Sequence, residues 1–221
     1  MNFQSKTYHS PLYRDFKEID GNAFRTIVRF YEEYEPDIEA LPFAEYFDLL
    51  YNYATSLFHI KQYRQFLNVA DRIIETSISD NIRFWNGEDL FISTLFRKAA
   101  AHHQLLELDE AEYVLKELIK INPTDKQIQM LLRRNFRRKR SRLVRNFRAV
   151  CIFCLLLSAL IVIFEVLFVR TFYTRYLPDV QTLRNLVFVT GVIILASGDV
   201  YNYLSATWKT LRITQKSRRN R

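Results

Sequence analysis

Residues 149–169 read AVCIFCLLLSALIVIFEVLFV, and this stretch decides the architecture. At 1.5 Å per residue such a run spans roughly 31 Å, the thickness of a bilayer core. Val, Ile, Leu and Phe fill 15 of its positions. At about −0.4 kcal/mol each they outweigh the roughly +3 kcal/mol of the single acid, Glu165. A membrane helix is therefore expected over 149–170. A second apolar run, 186–198, carries no charge, but Asp199 and Asn202 interrupt its continuation toward Trp208. Its apolar residues contribute roughly −4 kcal/mol, which Asp199 nearly cancels. Alone, a run this short also fits a re-entrant, buried or surface helix.

Charge placement chooses among these. The segment 133–148, RRNFRRKRSRLVRNFR, holds nine basic residues and no acid. Six more follow the second run, whereas the connection 170–185 holds three. The positive-inside rule places both termini in the cytoplasm. The expected layout is a basic juxtamembrane segment 129–148, a first span 149–170, an outside loop 171–184, a second span 185–207 and a basic tail 208–221. Cys151, Ser158 and Glu165 recur every seven positions on the first run, and the small residues Gly191, Gly198 and Ser205 on the second. Facing stripes of that kind let two membrane helices approach closely.

The rest of the chain has another character. Residues 1–132 hold 14 Lys/Arg against 21 Asp/Glu, a net charge of −7; residues 133–221 hold 18 against 3, a net of +15. Such asymmetry indicates modules with separate surroundings. Gly and Pro are scarce, four and five, which disfavours an all-β fold and disorder. The opening residues, MNFQSKTYHSPLYRDF, show no apolar core of the signal-peptide kind, so a cytosolic start is expected. The two cysteines, Cys151 and Cys154, sit inside the apolar run. They read as small packing residues rather than a redox or metal pair, which needs an electropositive, accessible setting.

Residues 1–21 read as a lead-in and 22–128 as a helical domain. Helical periodicity is visible over 22–34 (Ala23, Ile27, Phe30, Tyr34), 43–58 (Phe43, Phe47, Leu50, Ala54, Leu57) and 62–77 (Phe66, Ala70, Ile73, Ile74). A connection is expected over 78–87, then helices over 88–105 and 109–121. Asn122-Pro123-Thr124-Asp125 stops the last of these and caps a further helix.

The stretch 108–123, LDEAEYVLKELIKINP, resembles the second helix of a tetratricopeptide repeat and its closing turn. Ala111 stands at the small position, Leu115, Leu118 and Ile121 at apolar positions, and Pro123 at the terminal proline. Ala99 and Ala100 fall near the small position of the preceding helix. A weaker unit is carried by Ala54, Tyr63 and Ala70, with Phe66 where a small residue is expected. The resemblance covers about 43–125 and implies an all-α fold of helical hairpins, a TPR-like solenoid or bundle ahead of the membrane hairpin. It also implies a groove that binds a protein segment, with contacts expected at Tyr46, Tyr53, Arg97 and His102.

Candidate chemistry is sparse. Glu165, Asp199 and Asn202 are polar groups inside apolar runs, where acids are expensive and often functional. Glu165 is expected near the outer end of its span; Asp199 is expected to contact Asn202 or Ser158. Arg133, Arg134, Arg137, Arg138, Lys139, Arg140 and Arg142 read as a topology signal that attracts anionic lipid head groups, in preference to nucleic acid. His102 and His103 are adjacent and diverge by about 100° on a helix, so they do not share a metal. No Gly-rich phosphate loop, nucleophile elbow or His-Glu-x-x-His occurs, so no enzyme and no cofactor is expected. The expected function is a membrane-anchored adaptor at a bacterial inner membrane, binding a protein partner or another membrane subunit, with self-association also open. The competing class is a small subunit of a transport or channel assembly that uses Glu165 and Asp199.

Overall fold

The computed structural model describes residues 10–139, 141–169 and 177–219, with the backbone alone at 141–144 and 199. The described fold is all-α apart from one two-residue strand pair. It divides into two compact units between Ile121 and Asn122, a few residues before the expected domain end at 128.

The first unit starts earlier than a loose lead-in. Ser10 accepts a hydrogen bond from the Tyr13 amide and caps helix α1, Pro11–Glu18, whose Phe16 is buried. Helices α2 (Phe24–Glu33), α3 (Glu35–Glu39), α4 (Phe43–His59) and α5 (Tyr63–Ser79) follow. Lys61 takes φ 67° in the turn between α4 and α5. The expected connection 78–87 ends in a hairpin: β1 (Phe84–Trp85) pairs antiparallel with β2 (Glu88–Asp89). Asn86 and Gly87, at φ 48° and 82°, supply the two positive φ angles of a type I′ turn. Asp89 then caps helix α6, Leu90–Gln104, by accepting from the Ile92 amide at 3.0 Å. Helix α7 is Leu108–Ile121.

Packing runs between neighbours in sequence: α4 against α5, α5 against α6 and α6 against α7, with α2 and α1 also on α4. Phe47, Leu50, Leu57, Phe66, Ile73 and Leu90 form the fully buried centre. Each such side chain contributes about 1.5–3 kcal/mol. Ala99 and Ala111 are fully buried, whereas Ala100 is half-buried and Ala101 is enclosed instead. Phe66 fills its position by packing edge-on to Phe58, 5.3 Å between ring centres. Three expected inward residues turn outward: Tyr34, Phe43 and Ile121 are exposed, while Val28, Tyr31 and Ile119 take buried places.

In the second unit, Asp125 caps helix α8, Lys126–Lys139, by accepting from the amides of Gln127 and Ile128. Helix α9, Ser141–Phe164, passes into a π-helical turn at Glu165–Val169. Helix α10 runs unbroken from Leu177 to Arg219. Residues 177–184, expected in a loop, and 208–219, expected as a tail, are therefore helical: no glycine lies in either, and proline enters only at the second position of α10, where its missing N–H is harmless. Two helices, within 145–169 and 177–219, are long and apolar enough to cross a membrane.

α9 and α10 pack antiparallel, and three contacts fix their register. A Cβ built on Gly198 would lie 2.8 Å from the Cβ of Phe147, and one on Gly191 would lie 2.8 Å from the Cβ of Cys154. Glu165 meets Gln181 and Arg184. Of the expected stripes, Cys151, Ser158, Glu165, Gly191 and Gly198 are buried and Ser205 is half-buried. The glycines receive Phe147 and Cys154 rather than the opposite small residues. α8 continues the same register along α10, with Lys209 over the Phe136 ring at 5.7 Å and Arg137 over the Tyr203 ring at 5.6 Å.

Candidate functional site

Among the described residues of the second unit the most enclosed charge is Glu165, 1 % exposed, at the first position of the π-helical turn. Its Oε2 accepts from Arg184 Nη1 at 3.0 Å and its Oε1 from Gln181 Nε2 at 3.1 Å. Arg184 also donates to Asn185 Oδ1 through Nε and Nη2. A buried carboxylate in an apolar helix is tolerable only when paired and hydrogen-bonded. Here both requirements are met within one hairpin, by two residues one turn apart on α10. Sequence reasoning placed Glu165 near the outer end of the apolar run but missed Arg184 as its partner.

The register also moves Asp199. Gly198 abuts Phe147, so the backbone of Asp199 lies beside 146–147, between Arg145 and Arg148 in the sequence of α9. That is the basic end of the hairpin, beyond the apolar run. Ser158 lies about eleven residues further along α9, roughly 17 Å from that level by helical rise. The side chain of Asp199 lies outside the described residues. Asn202, one turn on, is half-buried, and its Oδ1 is enclosed without a hydrogen-bond partner among the described residues.

Of the head-group cations, Arg140 and Arg142 lie outside the described residues, the latter in its side chain. Arg134, Arg137, Arg138 and Lys139 are exposed on α8, and Arg133 is half-buried. Ala149, the first residue of the α9 apolar run, lies level with roughly residue 196 of α10. Phe136 sits at Lys209, about 20 Å further along the axis. Arg145 and Arg148, both exposed on α9, stand within about 6 Å of Ala149 along the axis, and the described α8 cations stand about 15 Å or more from it.

The four contacts expected on the first unit do not converge. Tyr53 is buried rather than presented in a groove. It stacks on Tyr31 with ring centres 4.1 Å apart and donates to Glu32 Oε1 at 3.3 Å. Burial first, then the Glu32 carboxylate, pushes its pKa up to about 12. Tyr46 is half-buried under the Arg72 guanidinium, 5.5 Å from the ring centre. Arg97 faces another side of α4: it donates to Thr55 Oγ1 at 3.0 Å and Tyr51 Oη at 3.3 Å, and pairs with Glu88 at 3.4 Å. His102 is closed by Glu107 at 2.7 Å.

No family model, no curated protein and no solved structure matches the chain. The geometry must therefore carry the functional argument alone.

One polar cluster escaped the sequence reading. Glu45 and Asp48, both buried on α4, hold the start of the described chain. Ser10 donates to Glu45 through its hydroxyl at 2.6 Å, and Tyr13 and Lys17 donate to Asp48. Burial opposes the charge on Lys17, but Asp48 and Tyr13 overcome it and raise its pKa. The signal was two acids a turn apart within a helix otherwise buried on several sides. Among the described residues no three His, Cys, Asp or Glu converge as a metal site.

Proposed function

We propose that this chain is a membrane-anchored adaptor. The α9–α10 hairpin crosses the bilayer with both termini on the cytoplasmic side, and the tetratricopeptide-like helical unit binds a protein partner. One observation carries the reading: Ile152, Phe153, Leu156, Leu160, Ile163 and Phe164 are each more than half exposed, and Val150, Leu155 and Val162, on other sides of α9, are 38–45 % exposed. A core helix of a soluble protein passes the same length and composition test but is mostly enclosed. An apolar helix exposed on most sides needs lipid as its solvent.

The register supports the crossing of the second helix. The sequence alone sets Asp199 against the apolar residues of its own run, but the hairpin moves that acid to the basic end. Pairing with Arg184 likewise removes the lone charge of Glu165 and lets the apolar band continue toward Leu177. A carboxylate already closed by its own chain favours anchoring over an ion relay. The cations at 133–148 and 209–221 suit a cytoplasmic face, and this topology suits a bacterial inner membrane. Arg145 and Arg148 are the cations we assign to anionic lipid.

The test has two arms. Membranes washed with alkaline carbonate should retain the chain, and a cysteine at Thr174→Cys, between the two apolar helices, should react with an impermeant maleimide from outside while one at Lys216→Cys should not. Release by carbonate, or labelling of position 216 from outside, refutes the anchoring. Deletion of 10–121 should abolish capture of at least one protein partner that the full chain retains; an unchanged set of captured partners refutes the binding role of the helical unit.

A further inference from the structure

The second half of α10 carries more than an anchor requires. From the level of Ala149, near residue 196, to Arg219 it extends about 34 Å beyond the apolar run. Over this length α8 covers one side of it. Ala206, Thr210 and Thr214, spaced four apart, are buried, and each threonine hydroxyl is turned back onto the backbone carbonyl four residues earlier.

The other side is open. Trp208 is 77 % exposed, and Leu211 is exposed too. With Arg212 and Gln215 they line one recess. The spacing 208, 211, 212, 215 is one helix face, centred roughly 150° around the axis from the buried threonine side. Lys216 is exposed one turn beyond Arg212, so a cationic row runs beside the apolar one. Between 199 and 219 five Lys or Arg stand against a single acid, Asp199.

We propose that this face docks an acidic, amphipathic helix of a protein partner on the cytoplasmic side. The inference rests on the anchoring reading above. Distance excludes the chain's own bilayer: Trp208 stands about 18 Å beyond the apolar run and Arg212 about 24 Å, outside the head-group layer and its screened field. Tryptophan and leucine three positions apart form the ridge that a second helix packs against. The adjoining cations select a partner whose flanking residues are Asp or Glu, and steer its approach. A phosphate polymer would use the cations but would leave Leu211 unused.

A photoreactive benzophenone amino acid in place of Leu211 tests this in the full chain, in the membranes of cells that make it. Sequencing of the cross-linked peptide should return a segment of another protein with net negative charge and apolar residues three and four apart. Its yield should fall about tenfold in an R212E/K216E background. Cross-linking to lipid, to nucleic acid or to this chain itself, a yield indifferent to charge reversal, or no cross-link overturns the proposal. Maleimide reactivity at Lys216→Cys, read in parallel, separates that result from failure of the topology.

Discussion

The Glu165–Arg184 pair offers the most discriminating perturbation, because its two members are unequally enclosed. Glu165 is 1 % exposed and Arg184 29 %. Arg184→Gln leaves an acid buried in an apolar helix pair with Gln181 as its remaining donor on α10, and breaking a buried pair from that side costs about 3–5 kcal/mol. Glu165→Gln leaves the arginine, which still holds Asn185 and is 29 % exposed, so a smaller cost of about 1–2 kcal/mol is expected. The double variant removes both charges and should return to within about 1 kcal/mol of the parent. The pair should therefore couple by at least about 3 kcal/mol, a factor of roughly 150 or more in the unfolding constant. Hydrogen–deuterium exchange of peptides covering 155–169 and 177–190, measured across a mixed-micelle unfolding series, reads this locally. Equal effects of the two single variants, or a double variant no better than Arg184→Gln, would refute the reasoning that burial makes Glu165 the costly partner.

Other outcomes follow from features of both units. Gly191→Ala and Gly198→Ala should each loosen the hairpin, because the added methyl meets the Cβ of Cys154 or Phe147 at 2.8 Å; faster exchange in α9 and α10 is the readout, and unaltered exchange contradicts the close approach. Ala111→Leu should overpack a fully buried position at the α6–α7 contact by about 1–3 kcal/mol, whereas Tyr113→Ala, at an exposed position on the same helix, should stay within about 0.5 kcal/mol; thermal melts compare them. The helical unit should weaken in alkali. Burial raises the phenols of Tyr31 and Tyr53, the latter to about 12, above the unfolded value near 10. Their contribution is intact below about pH 10 and is lost as pH rises through the folded values, because the unfolded chain then holds fewer protons. Melting temperature and tyrosinate absorbance between about pH 8 and 12 should show late-titrating tyrosines together with falling stability.

What could be read directly from the sequence was local. Pro123 and Asp125 marked the end of α7 and the start of α8, because a missing N–H and a capping carboxylate act within one turn. The Asn86-Gly87 turn was legible on the same grounds, although the surrounding Ser and Asp residues drew the reading toward a plain connection. Pairings between distant residues were not legible. Glu165 meets Arg184 across nineteen positions, and Asp48 meets Lys17 across thirty-one. Neither periodicity nor propensity specifies the register of two helices. The same ignorance hid that the backbone of Asp199 lies beside residues 146–147 of α9. Tyr53 was misread because α4 is buried on more than one side, so an aromatic off the main stripe is not thereby in a groove.

Helix α10 has one further consequence. Its 43 residues form a single rod of about 64 Å, clasped near its first turns by Glu165 and along its far half by α8. Such a rod behaves as a lever: a reorientation of roughly 10° about the level of Gly198 sweeps Arg219 sideways by about 5 Å, half the width of a helix. Under the anchoring proposed above, small changes in bilayer thickness or in the Arg184 clasp would thereby be enlarged into displacements that a bound protein could sense.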